Sequence, residues 1–157
     1  MHILILCVGA LKERYWRDAL EEYLKRLSRY AKLTVREVAD ENTPEPGSAA
    51  ADKVKDTEGR RLLQWINTND TVCVLDERGE ALSSTEFSAY LEGCMPSGKR
   101  LVFVIGGSLG LSQEIIRRGN KLLSLGKMTY PHQMVRVILV EQIYRSYRII
   151  RGEPYHK

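Results

Sequence analysis

The run Leu101-Val102-Phe103-Val104-Ile105, followed directly by Gly106-Gly107-Ser108-Leu109-Gly110, decides the fold. Five apolar residues in a row, without polar alternation, read as a strand buried on both faces, which places it at the centre of a sheet. Glycines that follow such a strand let backbone rather than side chains line a cavity. Cavities at that end of a strand are where α/β proteins hold cofactors. The same glycines equally suit a tight strand-to-helix turn, so both readings stand at this level.

Working outward, the apolar period alternates between strand and helix. Ile3–Val8 reads as a buried strand closed by Gly9. Trp16, Leu20, Tyr23, Leu24 and Leu27 recur at three- and four-residue steps, one face of an amphipathic helix over about Lys12 to Ser28. Leu33–Val38 is a second strand, and the Pro- and Gly-bearing loop 41–48 ends at Ser48, which can cap a helix from Ala49 to Trp65. Thr71–Leu75 is a third strand, followed by the turn-prone Asp76-Glu77-Arg78-Gly79. Ser83 or Ser84 can cap a helix to about Cys94, with Ser83 three residues before Glu86 at capping-box spacing, and Met95-Pro96-Ser97-Gly98 breaks it. Ser112 caps a short helix to Arg118, Lys121–Leu125 is a fifth strand, and a last helix runs from Pro131 or His132 to Arg151. The predicted fold class is α/β: one domain over residues 1–157, with a mostly parallel sheet and helices on both faces.

At 157 residues the chain can bury a core without disulfides or a structural metal. Cys7, Cys73 and Cys94 form no CxxC pair, and the first two lie in strand-like runs, so reduced thiols in a cytoplasmic protein are expected. With three histidines in the chain, no metal site is expected. The opening apolar run is too short for a signal peptide, no stretch is long enough to span a bilayer, and no membrane partner is expected. Charge is segregated. Residues 1–116 carry 15 Lys and Arg against 18 Asp and Glu, whereas residues 117–157 carry 9 against 2. A basic end on an acidic body suits an anionic partner such as nucleic acid; a merely solvated surface is the alternative.

The final helix is apolar nearly all round. Met134, Val137, Ile138, Leu139, Ile143 and Ile150 leave only a narrow stripe of Glu141, Arg145, Arg148 and Gly152. Such a helix is buried on more than one side, which predicts a second copy of the chain against it.

The glycine loop is neither a P-loop, since no Gly-Lys-Ser/Thr follows, nor GxGxxG. A phosphate cradle is therefore disfavoured. Leu125-Gly126-Lys127-Met128-Thr129-Tyr130-Pro131-His132 offers backbone donors and acceptors beside apolar Leu125 and Met128, a surface able to hold a flat heterocycle such as adenine.

The run from Val104 through Leu111, the run from Leu125 through Gln133, Val135-Arg136-Val137, Glu141-Gln142-Ile143-Tyr144-Arg145 and the terminal Pro154-Tyr155-His156-Lys157 together resemble the ribosomal RNA large subunit methyltransferase H family. Its members are small SPOUT, or α/β-knot, methyltransferases, and the similarity extends to the opening Ile5 through Trp16. The resemblance implies a C-terminal trefoil knot, a homodimer and S-adenosyl-L-methionine as methyl donor. It implies a donor pocket of Leu75, Gly106, Gly107, Leu125, Gly126, Lys127, Met128, Thr129 and Tyr130. It implies methylation of N3 of a pseudouridine in 23S ribosomal RNA, in the helix 69 stem-loop, on the assembled ribosome, and no DNA partner. Many SPOUT enzymes carry a separate RNA-binding domain; none is visible here, so RNA grip is expected from the dimer surface and the basic C-terminal face.

Transfer to N3 requires loss of a weakly acidic imide proton or stabilisation of the anion. His132, Arg136, Arg145, Tyr155 and His156 are available; His156, Tyr155 and Arg145 are the catalytic candidates. Helix capping is the rival role for His132, and an i, i+4 ion pair with Glu141 the rival for Arg145. Two other classes compete: a non-catalytic ribosome-associated RNA-binding protein, and a small-molecule enzyme on a flavodoxin-like sheet.

Overall fold

His2–Val8 (β1), Lys32–Val38 (β2), Thr71–Ala81 (β3), Leu101–Ile105 (β4) and Lys121–Ser124 (β5) form one parallel sheet in the order β2-β1-β4-β3-β5. The structure, a computed structural model, describes residues 1–155. The central strand is β4, and all five of its residues are buried, as an unbroken apolar run requires.

Pleating divides the strand side chains into two cores. Ile3, Ile5, Cys7, Cys73 and Phe103 face one side, where they meet Arg14–Leu27 (α1), Ser84–Cys94 (α3) and His132–Ile150 (α5). Leu6, Val8, Val74, Val102 and Val104 face the other, under Ala49–Leu63 (α2) and Gln113–Arg118 (α4). Each fully buried large side chain, such as Leu27, Leu91 or Ile143, contributes about 1.5–3 kcal/mol relative to exposure.

Three helices start at the serines that signal them. Ser48 accepts from Ala51 N–H, Ser112 accepts from Ile115 N–H, and Ser83 forms the full reciprocal capping box with Glu86. Cys7 and Cys73 are buried and Cys94 half-buried, all as free thiols.

Two strand ends differ from expectation. β3 runs on to Ala81 rather than ending at Leu75. The Asp76–Gly79 turn does form, with Arg78 N–H and Nε donating to Asp76 Oδ1 at 3.0 and 2.8 Å. It is an excursion within the strand, because pairing with β5 resumes at Glu80 after Leu75, both against Leu123. Gly79 lies so close to β5 that a Cβ there would stand 2.6 Å from the Leu123 backbone. β5 itself stops at Ser124, one residue early, because the Ser124 hydroxyl donates to Gly126 O (3.0 Å) and accepts from Gly126 N–H (3.2 Å), turning the chain.

α5 lies between α1 and α3. Its Arg136 is completely buried, an arrangement tolerated only when the charge is paired. The guanidinium donates to Val8 O, Gly9 O and the Glu37 carboxylate, each at 2.7 Å, tying the start of α5 to the ends of β1 and β2.

Candidate functional site

The order β4-β3-β5 brings three chain exits together at the C-terminal edge of the sheet: the excursion after Leu75, the glycine loop after Ile105 and the turn after Ser124. Each exit is shaped by its residues.

In the glycine loop, Gly110 has φ +85° and its N–H donates to Gly107 O at 3.1 Å. A Cβ on Gly106 would lie 2.9 Å from Gly110 O, so the loop closes only without a side chain there. A Cβ on Gly107 would stand 3.1 Å from Val8 and 3.2 Å from Glu58. Glu58 is itself buried; burial pushes its carboxyl above the usual range, and its Oε1 accepts Glu41 N–H at 2.9 Å. The tight-turn reading of these glycines is therefore correct as geometry. At the third exit Gly126 has φ +112°, a backbone conformation other residues rarely adopt.

Between that turn, the start of α3 and the middle of α5 lies a cavity of about 340 Å³, within the range of small-molecule sites. Leu125, Gly126 and Tyr130 form one wall; Ser84 and Phe87, with Ile138 and Gln142 of α5, form the other. Of the nine residues expected to hold a donor, only Leu125, Gly126 and Tyr130 line this cavity. Leu75, Gly106 and Gly107 stand at the neighbouring strand ends without lining it. Lys127, Met128 and Thr129 also lie off its wall, in the loop before α5, with Met128 72% exposed. A wider depression of about 740 Å³ occupies the opposite, N-terminal end of β3 and β4, between residues 66–70 and 97–100. There Asp70 is already engaged by Arg100 at 2.6 Å, and no expected site residue lines it. The C-terminal cavity is the candidate, since parallel sheets present ligands at that edge.

The tail reaches the same region. α5 ends in Gly152 with φ +64°, where Gly152 N–H donates to Ile149 O and Glu153 N–H to Arg148 O, the paired bonds of a Schellman motif. The chain thereby reverses and runs back along α5. Tyr155 donates to Glu141 Oε1 at 3.2 Å, and its ring packs edge-on against Tyr144 at 5.0 Å. Arg145 donates to the same Glu141 oxygen at 3.1 and 2.6 Å, and its guanidinium stands 4.8 Å from the centre of the Tyr155 ring. Arg145 thus makes the i, i+4 ion pair and also meets the tail. Glu141 Oε2 accepts from Gln142 Nε2 at 2.7 Å, and Gln142 Oε1 accepts from Ser84 at 2.8 Å. One hydrogen-bond chain, Tyr155–Glu141–Gln142–Ser84, therefore joins the tail to the cavity wall.

Burial, with the Glu141 carboxylate beside it, pushes the Tyr155 phenol well above its ordinary range, so the hydroxyl stays protonated and acts as a hydrogen-bond donor. His156 lies outside the described residues. His132 does not cap α5, whose N-cap is Pro131 with no side-chain bond. It is half-buried instead, and burial followed by the Arg136 charge holds it below the usual imidazole value, against the opposing pull of Asp40. Arg136 turns both terminal guanidinium nitrogens to Glu37, Val8 O and Gly9 O, while its buried Nε has no partner among the described residues.

Ser84, Phe87, Glu141 and Gln142 were not among the expected site residues. The capping box at Ser83 marked a helix start, but nothing in a local pattern reveals that this start faces the middle of a helix 58 residues later.

A parallel sheet whose exits border a cavity beside a folded-back tail is an α/β ligand-binding arrangement, and comparison with known proteins narrows it. The family model described as "Predicted SPOUT methyltransferase" matches residues 1–156. The chain belongs to the SPOUT methyltransferase family. Proteins named Ribosomal RNA large subunit methyltransferase H are similar to it over the full length of both chains: 54% identical in Carboxydothermus hydrogenoformans, 53% in Enterococcus faecalis and 51% in Clostridium kluyveri. A crystal structure of a Neisseria gonorrhoeae protein superposes with a TM-score of 0.53 at 14% identity, covering 91% of this chain and 81% of that one, a likeness of fold alone.

Proposed function

We propose that this chain methylates ribosomal RNA, transferring a methyl group from S-adenosyl-L-methionine to N3 of a pseudouridine in the helix 69 stem-loop of 23S RNA on the assembled bacterial ribosome. The observation that carries the reading is the hydrogen-bond chain from Tyr155 to Ser84, which joins the tail to the cavity wall. Family membership and the names of the full-length relatives support methyl transfer and an RNA substrate. The cavity fits the donor's chemistry: apolar Leu125, Phe87 and Ile138 can sandwich a flat heterocycle while the backbone around Gly126 supplies neutral polar groups. Leu75, Gly106, Gly107, Lys127, Met128 and Thr129 complete the proposed donor pocket from the adjacent exits.

When bound, S-adenosyl-L-methionine supplies an electrophilic methyl group on a sulfonium. The protein's contribution is alignment of the acceptor nitrogen opposite the leaving sulfur and management of the imide proton. Arg145, held by Glu141 beside Tyr155, places positive charge where a uracil-like anion develops. Tyr155 donates a hydrogen bond, and His156 is the proposed base. The homodimer is supported by the half-buried apolar residues Val137, Ile138, Ile149 and Ile150 along α5. The trefoil knot is supported by family membership. A cytoplasmic location follows from the substrate; among the described residues no helix is long and apolar enough to cross a membrane.

The test is tritiated methyl transfer onto intact ribosomes and onto free subunits, with the product mapped by mass spectrometry. The reading expects one methyl group on N3 of one helix 69 pseudouridine, and intact ribosomes as the better substrate. Donor binding without incorporation into any RNA would instead favour a non-catalytic RNA-binding protein.

A further inference from the structure

The tail's course depends on a residue that the proposed chemistry leaves unused. Glu153 follows the helix-ending Gly152, and its carboxylate is a meeting point for groups far apart in sequence. Tyr30, in the connection between α1 and β2 and 123 residues away, donates its hydroxyl to Glu153 Oε2 at 2.5 Å. Arg148 of α5 brings Nε to 2.7 Å from the same oxygen, an ion pair without hydrogen-bond alignment. Both partners are themselves immobilised. The Tyr30 ring stacks on Tyr147 at 5.5 Å with 23° between planes, and Arg151 covers it at 4.8 Å. Arg148 also donates to the Tyr144 hydroxyl at 2.8 Å and to Pro154 O at 3.4 Å.

We propose that Glu153 is a positioning residue, a latch that pins the reversed tail to Tyr30 and Arg148 so that Tyr155 stands on Glu141 beside the cavity wall. The proposal rests on the catalytic role of the tail given above and adds the device that aims it. The Schellman turn supplies the reversal but not the direction, because its two bonds involve only Gly152 and Glu153 backbone. Two residues beyond the turn, Tyr155 is held by a single hydrogen bond at 3.2 Å and by ring packing. The Glu153 contacts lie between the two and fix the tail to a second element. Without them the Tyr155 phenol swings away from Arg145, and the acceptor loses its alignment while the donor pocket stays intact.

Glu153→Ala and Tyr30→Phe test this in the full chain; the second removes one hydroxyl and keeps the aromatic stack. Both are expected to lower kcat for methyl transfer onto ribosomes by about 10- to 100-fold, the cost of misplacing a reacting group by about an ångström. KM, calorimetric affinity and binding stoichiometry for S-adenosyl-L-methionine should stay at wild-type values; a general loss of folding would lower the stoichiometry. The double variant should be no worse than the poorer single one, since both cut the same contact. Glu153→Gln, which keeps an acceptor for Tyr30, should recover part of the rate. Amide hydrogen exchange at residues 152, 153 and 155, read on the same samples, should accelerate in Glu153→Ala and Tyr30→Phe. Unchanged exchange in both variants, or faster exchange with wild-type kcat, overturns the latch. A wild-type chain that methylates no RNA overturns the proposed function instead, and the exchange measurement then decides the latch by itself.

Discussion

Gly106 shows how one hydrogen in place of a side chain can serve two ends. A Cβ there would meet Gly110 O and the Leu111 side chain at 2.9 Å, so the loop closes on itself as tightly as it does only because nothing projects from that position. A valine at Gly106 would disrupt the turn as well as exclude any ligand. Gly106→Ala is the gentler test: thermal denaturation should show a loss of about 1–3 kcal/mol from overpacking, and calorimetry a weaker affinity for S-adenosyl-L-methionine. Full donor affinity in this variant would remove Gly106 from the site. His132 makes a prediction in pH. Burial and the Arg136 charge hold its folded-state pKa below the ordinary 6.5, so the unfolded chain takes up the proton first as pH falls. Stability should therefore be at its full value above about pH 6.5 and decline as pH drops through that value toward the lower folded pKa. His2, lowered mainly by burial, adds to the same slope. Denaturant titrations from pH 7.5 to 5 should show a shallower decline in His132→Gln; an unchanged slope would mean that His132 titrates alike in the folded and unfolded chain.

At the scale of elements, the helix starts were the most legible part of the chain, because a cap is a local bargain between one side chain and one or two amides. Ser83 is the clearest case, with both reciprocal bonds formed. Ser83→Ala should cost about 1 kcal/mol, read as a lower melting temperature, and should also disturb donor binding because Ser83 lines the cavity. β4 at the sheet centre was equally legible from its unbroken apolar run. β3 was not. Asp76 through Gly79 carry the chemistry of a turn and do turn, yet the strand resumes at Glu80 because β5, nearly 50 residues later, offers Leu123 a second time. The polar chain Tyr155–Glu141–Gln142–Ser84 was hidden for the same reason. Its members lie on α3, α5 and the tail, and only packing brings them together. Arg136 sits in an apolar helix pattern as a cation available to substrate, whereas the fold spends it on two carbonyls and Glu37.

At the scale of the whole molecule, the segregated charge and the near-uniformly apolar α5 point in compatible directions: an anionic partner at the basic end and a second copy along the helix. Sedimentation of the purified chain should give a dimer at micromolar concentration, and a monomer would leave the half-buried apolar residues of α5 unexplained. Ribosome binding should weaken by about 100-fold between 50 and 200 mM salt if roughly four phosphates are neutralised; salt-independent binding would argue against RNA backbone contacts. What composition and periodicity could not supply was the pocket itself, since it is walled by a strand exit, a helix start and a helix middle from three parts of the chain. The most direct measurement is a crystal structure grown with S-adenosyl-L-methionine. The account predicts the donor in the cavity between the Leu125–Tyr130 loop, the start of α3 and the middle of α5, reaching the Gly106–Gly107 turn at its edge, its methyl group turned toward Arg145 and Tyr155. A donor bound at the depression between residues 66–70 and 97–100, with those two turns empty, would contradict it.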